Sequence, residues 1–382
     1  MNILIAGIDG YIGWALAHRL HSRGHKIVGI DNGSRRAFVA RMESASAVPI
    51  LSFDHRRKSG PFELIDLDIS GHAAIDGKAL AEIFGGRSWD AVVNLAHQPS
   101  AAWSMRSLED AIHTSENNTS GMLALLWALR KDYDPRVHLL TLGTMGEYGT
   151  PNIEITEGPI EVEFRGRRDK LPFPRRPGSI YHATKCAMSL YVDQACRFWG
   201  LRATDVMQGV VYGSRGEWDA PTEAAQTRVD FDECFGTVIH RFCAQAVAGV
   251  PLTVYGEGGQ TRGYLPLRDS LTCLVLALES PPGPGEYRVF NQFDRCYSVS
   301  NIAEVVISEA LNMGLNPTWE NVPNPRVESE DHYYQPESMA LRKLGYEPTG
   351  CLAEDVRQIL DDMIPHRERI ARLIRPPQIA WR

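Results

Sequence analysis

The chain has 382 residues, 43% hydrophobic and 23% charged, which excludes a disordered, collagen-like or coiled-coil protein and allows one large domain or two apposed ones. With 40 basic and 47 acidic side chains, a net charge of −7 and no long block of Lys or Arg, nothing favours nucleic acid or an anionic membrane as partner. The longest apolar runs, 122–129 and 271–278, fall far short of the roughly 20 residues that cross a bilayer, and Met1 runs straight into an apolar segment, so a cytoplasmic protein is expected.

Short apolar runs at 2–6, 26–31, 63–68, 90–96 and 137–143 alternate with helical stretches, the pattern of a parallel, doubly wound α/β sheet. Between the first run and its helix lies Gly7-Ile8-Asp9-Gly10-Tyr11-Ile12-Gly13. Glycines here permit a tight turn and let backbone approach a pyrophosphate, while the helix start supplies N–H groups and partial positive charge. Asp31 ends the second run, placed to accept from the adenosine ribose hydroxyls. A carboxylate there repels a 2′-phosphate, so NAD is expected rather than NADP, although Arg35 and Arg36 follow closely. Asp68 and Ile69, at the end of the third run, are placed for the adenine edge; a plain turn acid would read the same way.

Thr144 follows the fifth run, and the polar stretch 151–179 behind it is long enough to carry a hairpin or a function of its own. Tyr181-His182-Ala183-Thr184-Lys185 puts Tyr and Lys four apart, on one face of a helix. A phenol is a poor base, but a neighbouring ammonium favours phenolate. Thr144 would donate to the same substrate oxygen, and Lys185 would also hold a ribose; a strand-end cap accounts for Thr144 equally well on its own. A strand over 202–210, a helix over 236–248, a strand over 252–255 and a helix from about 269 complete the pattern. We expect 1–213 to be mainly the cofactor domain and 214–382 mainly a smaller substrate-binding subdomain, with some segments returning to the sheet. The seven cysteines are odd in number, scattered and without a CxxC pair, so neither a disulfide framework nor a zinc site is expected.

Several longer stretches stand out: Asp9-Gly10-Tyr11 followed by Gly13-Trp14, Asp31-Asn32 with Arg35-Arg36, Leu142-Gly143-Thr144-Met145-Gly146-Glu147-Tyr148-Gly149, Gln208-Gly209-Val210-Val211-Tyr212-Gly213, Gly259-Gln260-Thr261-Arg262-Gly263-Tyr264-Leu265, and Pro323-Asn324-Pro325-Arg326-Val327-Glu328. With the GxxGxxG spacing, they make the chain resemble the extended short-chain dehydrogenase/reductase family, the nucleotide-sugar epimerases and dehydratases, and within it the UDP-sulfoquinovose synthase branch, over essentially the whole chain. The resemblance implies a Rossmann-type fold, tightly held NAD and a UDP-glucose substrate. It also implies the chemistry: oxidation at C4, loss of water across C5 and C6, addition of sulfite at C6 and reduction of the C4 ketone. Thr144, Tyr181 and Lys185 would run the redox half, and His182 or Glu147 would move protons for the elimination, each of these two being explicable as a packed structural group as well.

The resemblance further places Asn32 and Ala96 on the cofactor, His97, Gln98, Met145 and Gln208 on the sugar side, and Arg262 and Arg326 on the diphosphate, with Arg241 and Gln260 as weaker candidates. It implies a homodimer through helices near 108–130 and 181–199. Two departures bear on the chemistry. The 4,6-dehydratases of the family put Asp-Glu directly after the catalytic Thr, where this chain has Met145-Gly146. Sulfoquinovose synthases read Glu-Gln-Arg-Ser-Ala-Pro-Tyr-Ser-Met after the fourth strand, and this chain reads His97-Gln98-Pro99-Ser100-Ala101-Ala102-Trp103-Ser104-Met105. An acid and a cation are lost, and sulfite needs charge-assisted donors, which His97 or Arg106 would have to replace. The alternatives are a 4-epimerase, a 5,6-dehydratase that uses no sulfite, and a catalytically silent NAD-binding regulatory protein.

Overall fold

A computed structural model describes residues 1–70, 78–131, 134, 136–326 and 332–379; Val327 and Glu328 lie outside the described residues. The first strand shows why the sheet forms. In β1 (Asn2–Ala6), Ile3, Leu4, Ile5 and Ala6 are all fully buried, so side chains pointing to either face need a covering layer. β2 (Lys26–Asp31), β3 (Glu63–Asp66), β4 (Ala91–Asn94) and β5 (His138–Thr144) follow in parallel register. β6 (Ile160–Phe164) and β7 (Arg167–Leu171) form a separate antiparallel hairpin inside the polar stretch 151–179. β8 (Arg202–Gln208) returns to the sheet beside β5.

β9 (Val210–Tyr212), β10 (Leu252–Tyr255), β11 (Thr261–Pro266), β12 (Tyr287–Gln292), β13 (Arg295–Ser298) and β14 (Trp319–Val322) complete the strands among the described residues. The main sheet has the order β12-β8-β5-β4-β1-β2-β3, all parallel; β13-β11-β9 and β10-β14 make two small sheets. This is the doubly wound, Rossmann-type arrangement expected. Helices Tyr11–Ser22 and Leu267–Glu279 cover one face, through Trp14, Leu16, Leu20, Leu271 and Leu274. Helices Gly121–Lys131 and Ile180–Trp199 cover the other, through Leu125, Leu126, Met188 and Val192. A further core joins helices Val238–Ala248, Val299–Asn312 and Leu352–Met363.

Two expected elements are interrupted. The strand expected over 202–210 breaks at Gly209, where a Cβ would lie 2.6 Å from the Gly263 carbonyl oxygen; the chain donates from Gly209 N to Gln292 O at 2.8 Å and crosses to the small sheet. The helix expected over 108–130 is Leu108–Ser115 and Gly121–Lys131 joined by a π-helical turn, Glu116–Ser120. Both breaks border the carboxyl ends of the parallel strands, where a cleft of about 950 Å³ opens between the two halves of the chain.

Candidate active site

The phosphate loop follows from backbone crowding. Gly7 has φ +82°, and a Cβ there would lie 2.5 Å from the Leu95 carbonyl oxygen; one at Gly13 would lie 2.9 Å from the Ile8 Cα. Gly7, Gly10, Tyr11, Ile12 and Gly13 line the cleft, where the helix Tyr11–Ser22 begins. Asp31 accepts from the N–H groups of Asp9 at 2.9 Å and Gly33 at 2.8 Å. Burial first and the neighbouring Asp9 second push its carboxyl up to about 6. Asn32, Asp68, Ile69 and Ala96 line the same wall.

The two arginines after Asp31 are committed elsewhere. Arg36 binds Asp9 at 2.6 Å and does not line the cleft; Arg56 holds the other Asp9 oxygen at 2.8 Å. Arg35 reaches the cleft wall but pairs with Asp230 at 2.7 Å, which Arg228 also binds. A cradle open only to backbone, a helix N-terminus and a carboxylate with no cation left to take a 2′-phosphate fit a dinucleotide of the NAD kind.

At the far end of the cleft β5 delivers Thr144 and helix Ile180–Trp199 delivers Tyr181 and Lys185. The Thr144 hydroxyl hydrogen-bonds the Tyr181 phenol, which favours phenolate, but burial outweighs it and raises the phenol well above its ordinary value. Lys185 donates to Leu142 O at 2.7 Å and to His97 Nδ1 at 2.6 Å. Burial pulls this ammonium down to about 7, with Asp205 opposing. The helix is fixed in angle by its cap, Ser179, whose side chain accepts from His182 N, and by Tyr181 N donating to Ser104 Oγ at 3.0 Å.

His182 and Glu147, equal candidates in the sequence, part company here. His182 lines the cleft, its Nδ1 3.0 Å from Ser179 Oγ, and its ring fills the space beside Gly146. Burial, then Arg326 and Arg262, lower it to about 3, so it is a neutral imidazole. Glu147 does not line the cleft: it is fully buried beneath β5 and pairs with Arg175. It accepts from Thr144 N at 3.1 Å and from Ser189 Oγ at 3.2 Å, closing a capping box that fixes Thr144. The expectation that Glu147 moves protons is therefore not supported by its place in the fold, where it fixes Thr144 from behind the cleft wall.

On the substrate side His97, Gln98, Met145, Gln208, Arg241, Gln260, Arg262 and Arg326 all line the cleft. Gln98 is turned into its own loop, its amide bonded to both the N–H and the carbonyl of Ser100. Gln208 donates to Ser270 and Gln292, and Arg241 to Thr253 Oγ1 at 3.1 Å with its guanidinium 4.7 Å from the Tyr255 ring. Gln260 holds Tyr255 O, and Arg262 meets His332 Nε2 at 3.0 Å. Pro99 is exposed on the cleft rim. Arg106 is outside the cleft, stacked 4.7 Å from Trp103 and 3.6 Å from Asp110, so it does not replace the missing cation.

Three contributions had no clear signal in the sequence. Asn118, in the π-helical turn, accepts from Gln98 N at 2.8 Å and donates to Thr184 Oγ1 at 2.9 Å, clamping the 97–100 loop to the Tyr-Lys helix. Arg176, Pro177 and Gly178 line the cleft from the polar stretch, anchored by Arg176 N donating to Glu147 O. Phe235 closes the adenosine end under Arg35, 3.9 Å from its guanidinium.

Comparison with known proteins bears on the whole chain. Residues 3–291 match the NAD dependent epimerase/dehydratase family. The chain is 43% identical, over its full length and 98% of the relative, to the UDP-sulfoquinovose synthase of Sulfolobus acidocaldarius. It is 41% identical, over its full length and 79% of the relative, to the chloroplastic UDP-sulfoquinovose synthase of Spinacia oleracea. Its fold is similar to that of the UDP-glucuronic acid 4-epimerase of Bacillus cereus, solved with UDP-glucuronic acid and NAD: TM-score 0.68, 21% identity, covering 95% of this chain and 99% of that one.

Proposed function

The chain belongs to the NAD dependent epimerase/dehydratase family, and within it we propose that it is a UDP-sulfoquinovose synthase, converting UDP-glucose and sulfite to UDP-sulfoquinovose. The observation that carries this reading is the convergence of Thr144, Tyr181 and Lys185 at one end of the cleft with a neutral His182 beside them and two arginines beyond. Residues 1–213 hold most of the cofactor, with Asp31 on the adenosine ribose and the 7–13 loop on the pyrophosphate, and 214–382 supply the arginines for the diphosphate of the nucleotide sugar. Bound NAD supplies the hydride acceptor at C4 and the donor that restores it, so the cycle needs no external redox partner.

Tyr181 takes the proton of the C4 hydroxyl, Thr144 bonds the same oxygen, and Lys185 holds a ribose and favours the phenolate. With C4 a ketone, the C5 proton is acidic, and His182 is the group placed to remove it. A diphosphate lying between Arg262 and Arg326 cancels the repulsion those cations exert on a protonated His182, raising its basicity once substrate is bound. Water leaves across C5 and C6, and sulfite adds at C6 as C5 takes a proton back.

A second reading, elimination or 4-epimerisation without sulfite, draws support from Pro99 on the rim and from Arg106 turned away to Trp103 and Asp110. Incubation with UDP-glucose in deuterated water, with and without sulfite, followed by mass spectrometry decides. A sulfonated, deuterium-bearing product supports the synthase; an unsulfonated isomer or dehydrated sugar supports the second reading, and no change overturns both.

The proposed assembly is a homodimer in the cytoplasm. Leu108, Trp127, Leu190 and Phe198 are each more than half exposed on the neighbouring helices expected to pair, which supports the dimer. All seven cysteines are free thiols, which supports a reducing compartment, and no described helix is long and apolar enough to cross a membrane. A monomer by light scattering at working concentration would remove the dimer.

A further inference from the structure

Lys185 sits between two neutral acceptors. Its ammonium donates to the Leu142 carbonyl at 2.7 Å and to His97 Nδ1 at 2.6 Å. An ammonium has no lone pair with which to accept, so Nδ1 is the acceptor and the ring proton belongs on Nε2. That Nε2 is itself buried and has no hydrogen-bond partner among the described residues. The other ionisable groups facing Lys185 are few. From its own helix the Tyr181 ring lies 5.8 Å away, and from β8 Asp205 attracts it through space while bonding Ser189 at 2.6 Å and Tyr287 at 2.7 Å. Below β5, Glu147 is held by Arg175.

We propose that His97 is a positioning residue for Lys185: it orients the ammonium through a neutral ring, leaves it without a bonded carboxylate, and so makes turnover depend on whether Lys185 carries its proton. The proposal rests on the functional reading above only in giving Lys185 the task of supporting Tyr181. A buried cation with no bonded carboxylate loses its proton easily, and burial holds Lys185 down to about 7. Burial, and then the charge of Lys185, keep His97 well below its ordinary range, so the ring stays neutral. Lys185 is thus an ammonium below about pH 7 and is progressively neutral above it. Losing that charge removes the support of the Tyr181 phenolate, so the rate falls on the alkaline side. A carboxylate at position 97, as sulfoquinovose synthases carry, would favour the ammonium and move that limb upward.

The test titrates Lys185 directly, by NMR of isotope-labelled lysine at Nζ in NAD-loaded protein, for wild type, His97→Asn and His97→Glu. In parallel, reduction of the bound cofactor on adding UDP-glucose is timed in single turnovers over the same pH range. Expected is a midpoint of about 7 in wild type and in His97→Asn, and a midpoint higher by about one pH unit or more in His97→Glu, with the alkaline limb moving alongside it. A wild-type midpoint at the ordinary lysine value of about 10, or one unmoved by His97→Glu, overturns the role of His97. If His97→Glu does not fold, the wild-type midpoint decides alone. Absence of cofactor reduction with UDP-glucose overturns the functional reading, and the titration still decides the question of His97.

Discussion

The imidazole of His182 occupies the space that a side chain on Gly146 would need: a Cβ built there overlaps Nε2 and Cδ2 of the ring. The position where the family resemblance would put the Glu of a 4,6-dehydratase is thus filled from the neighbouring helix, by the imidazole proposed to take the C5 proton. Gly146→Ala should push the ring away and lower turnover by about tenfold or more while leaving NAD bound, read by steady-state kinetics and cofactor content. Unchanged turnover would mean that His182 does not act from this seat.

Tyr181→Phe removes one hydroxyl and keeps the ring. If that phenol takes the C4 proton, turnover should drop roughly a hundredfold to ten-thousandfold with NAD occupancy unchanged. Wild-type rates in the variant would sink the assignment.

Glu147 has no exposure, and its partner Arg175 arrives from the polar stretch that precedes the Tyr-Lys helix. Arg175→Met should therefore leave a buried carboxylate unpaired and destabilise the fold by about 3 to 5 kcal/mol in denaturant melts. Adding Glu147→Gln should recover much of that loss, since the amide can still accept from Thr144 N. Two independent, additive losses would show that the pair is not coupled.

Asp31 gives a pH dependence whose sign can be worked out. Its folded carboxyl, at about 6, lies above its ordinary value of 3.8, so the cofactor-free fold binds the extra proton more readily than the unfolded chain does. The stability that Asp31 contributes to the cofactor-free protein, read as the difference between wild type and Asp31→Asn, should fall as pH rises from about 4 to 6 and then level off. Ribose hydroxyls donate to the ionised form, so NAD affinity should rise through the same window. Asp31→Asn should also weaken NAD and flatten the rise in its affinity, as calorimetry at several pH values would show; a stability difference between the two proteins that does not change with pH would refute the assignment.

Pro99 stands on the cleft rim, at the position where the resemblance to sulfoquinovose synthases implies an arginine. Pro99→Arg should lower the KM for sulfite several-fold, on the scale of one charge-assisted hydrogen bond, without altering release of the C5 proton. No gain would mean that this loop meets the oxyanion in another way.

The parallel strands were legible because residues such as Ile3 to Ile5 and Val92 are apolar on both faces, leaving little ambiguity about burial. The phosphate loop and the Tyr181 and Lys185 pair stood out through their context, since each spacing is weak by itself and gained its meaning from the strand before it and from the longer matched stretches. Other features carry no compositional mark. A π-helical turn at 116–120 differs from its flanks only in hydrogen-bond register, and the break at Gly209 depends on a carbonyl of Gly263 brought close by folding. Glu147 read as a possible proton carrier because Arg175, which buries its charge, lies 28 residues onward in a stretch of weak pattern.

β12 is one of the two edge strands of the main sheet, yet it comes from residues 287–292, beyond most of the substrate-binding segments, and among the described residues it pairs only with β8. A chain emerging from the ribosome therefore has six strands of the sheet available while the β8 edge is still open, and an open edge is a template for wrong pairing. It is covered only after another 80 or so residues have been made. During synthesis the cofactor half is thus a late-completed unit rather than an early one, and until Gln292 emerges its β8 edge is open to wrong pairing.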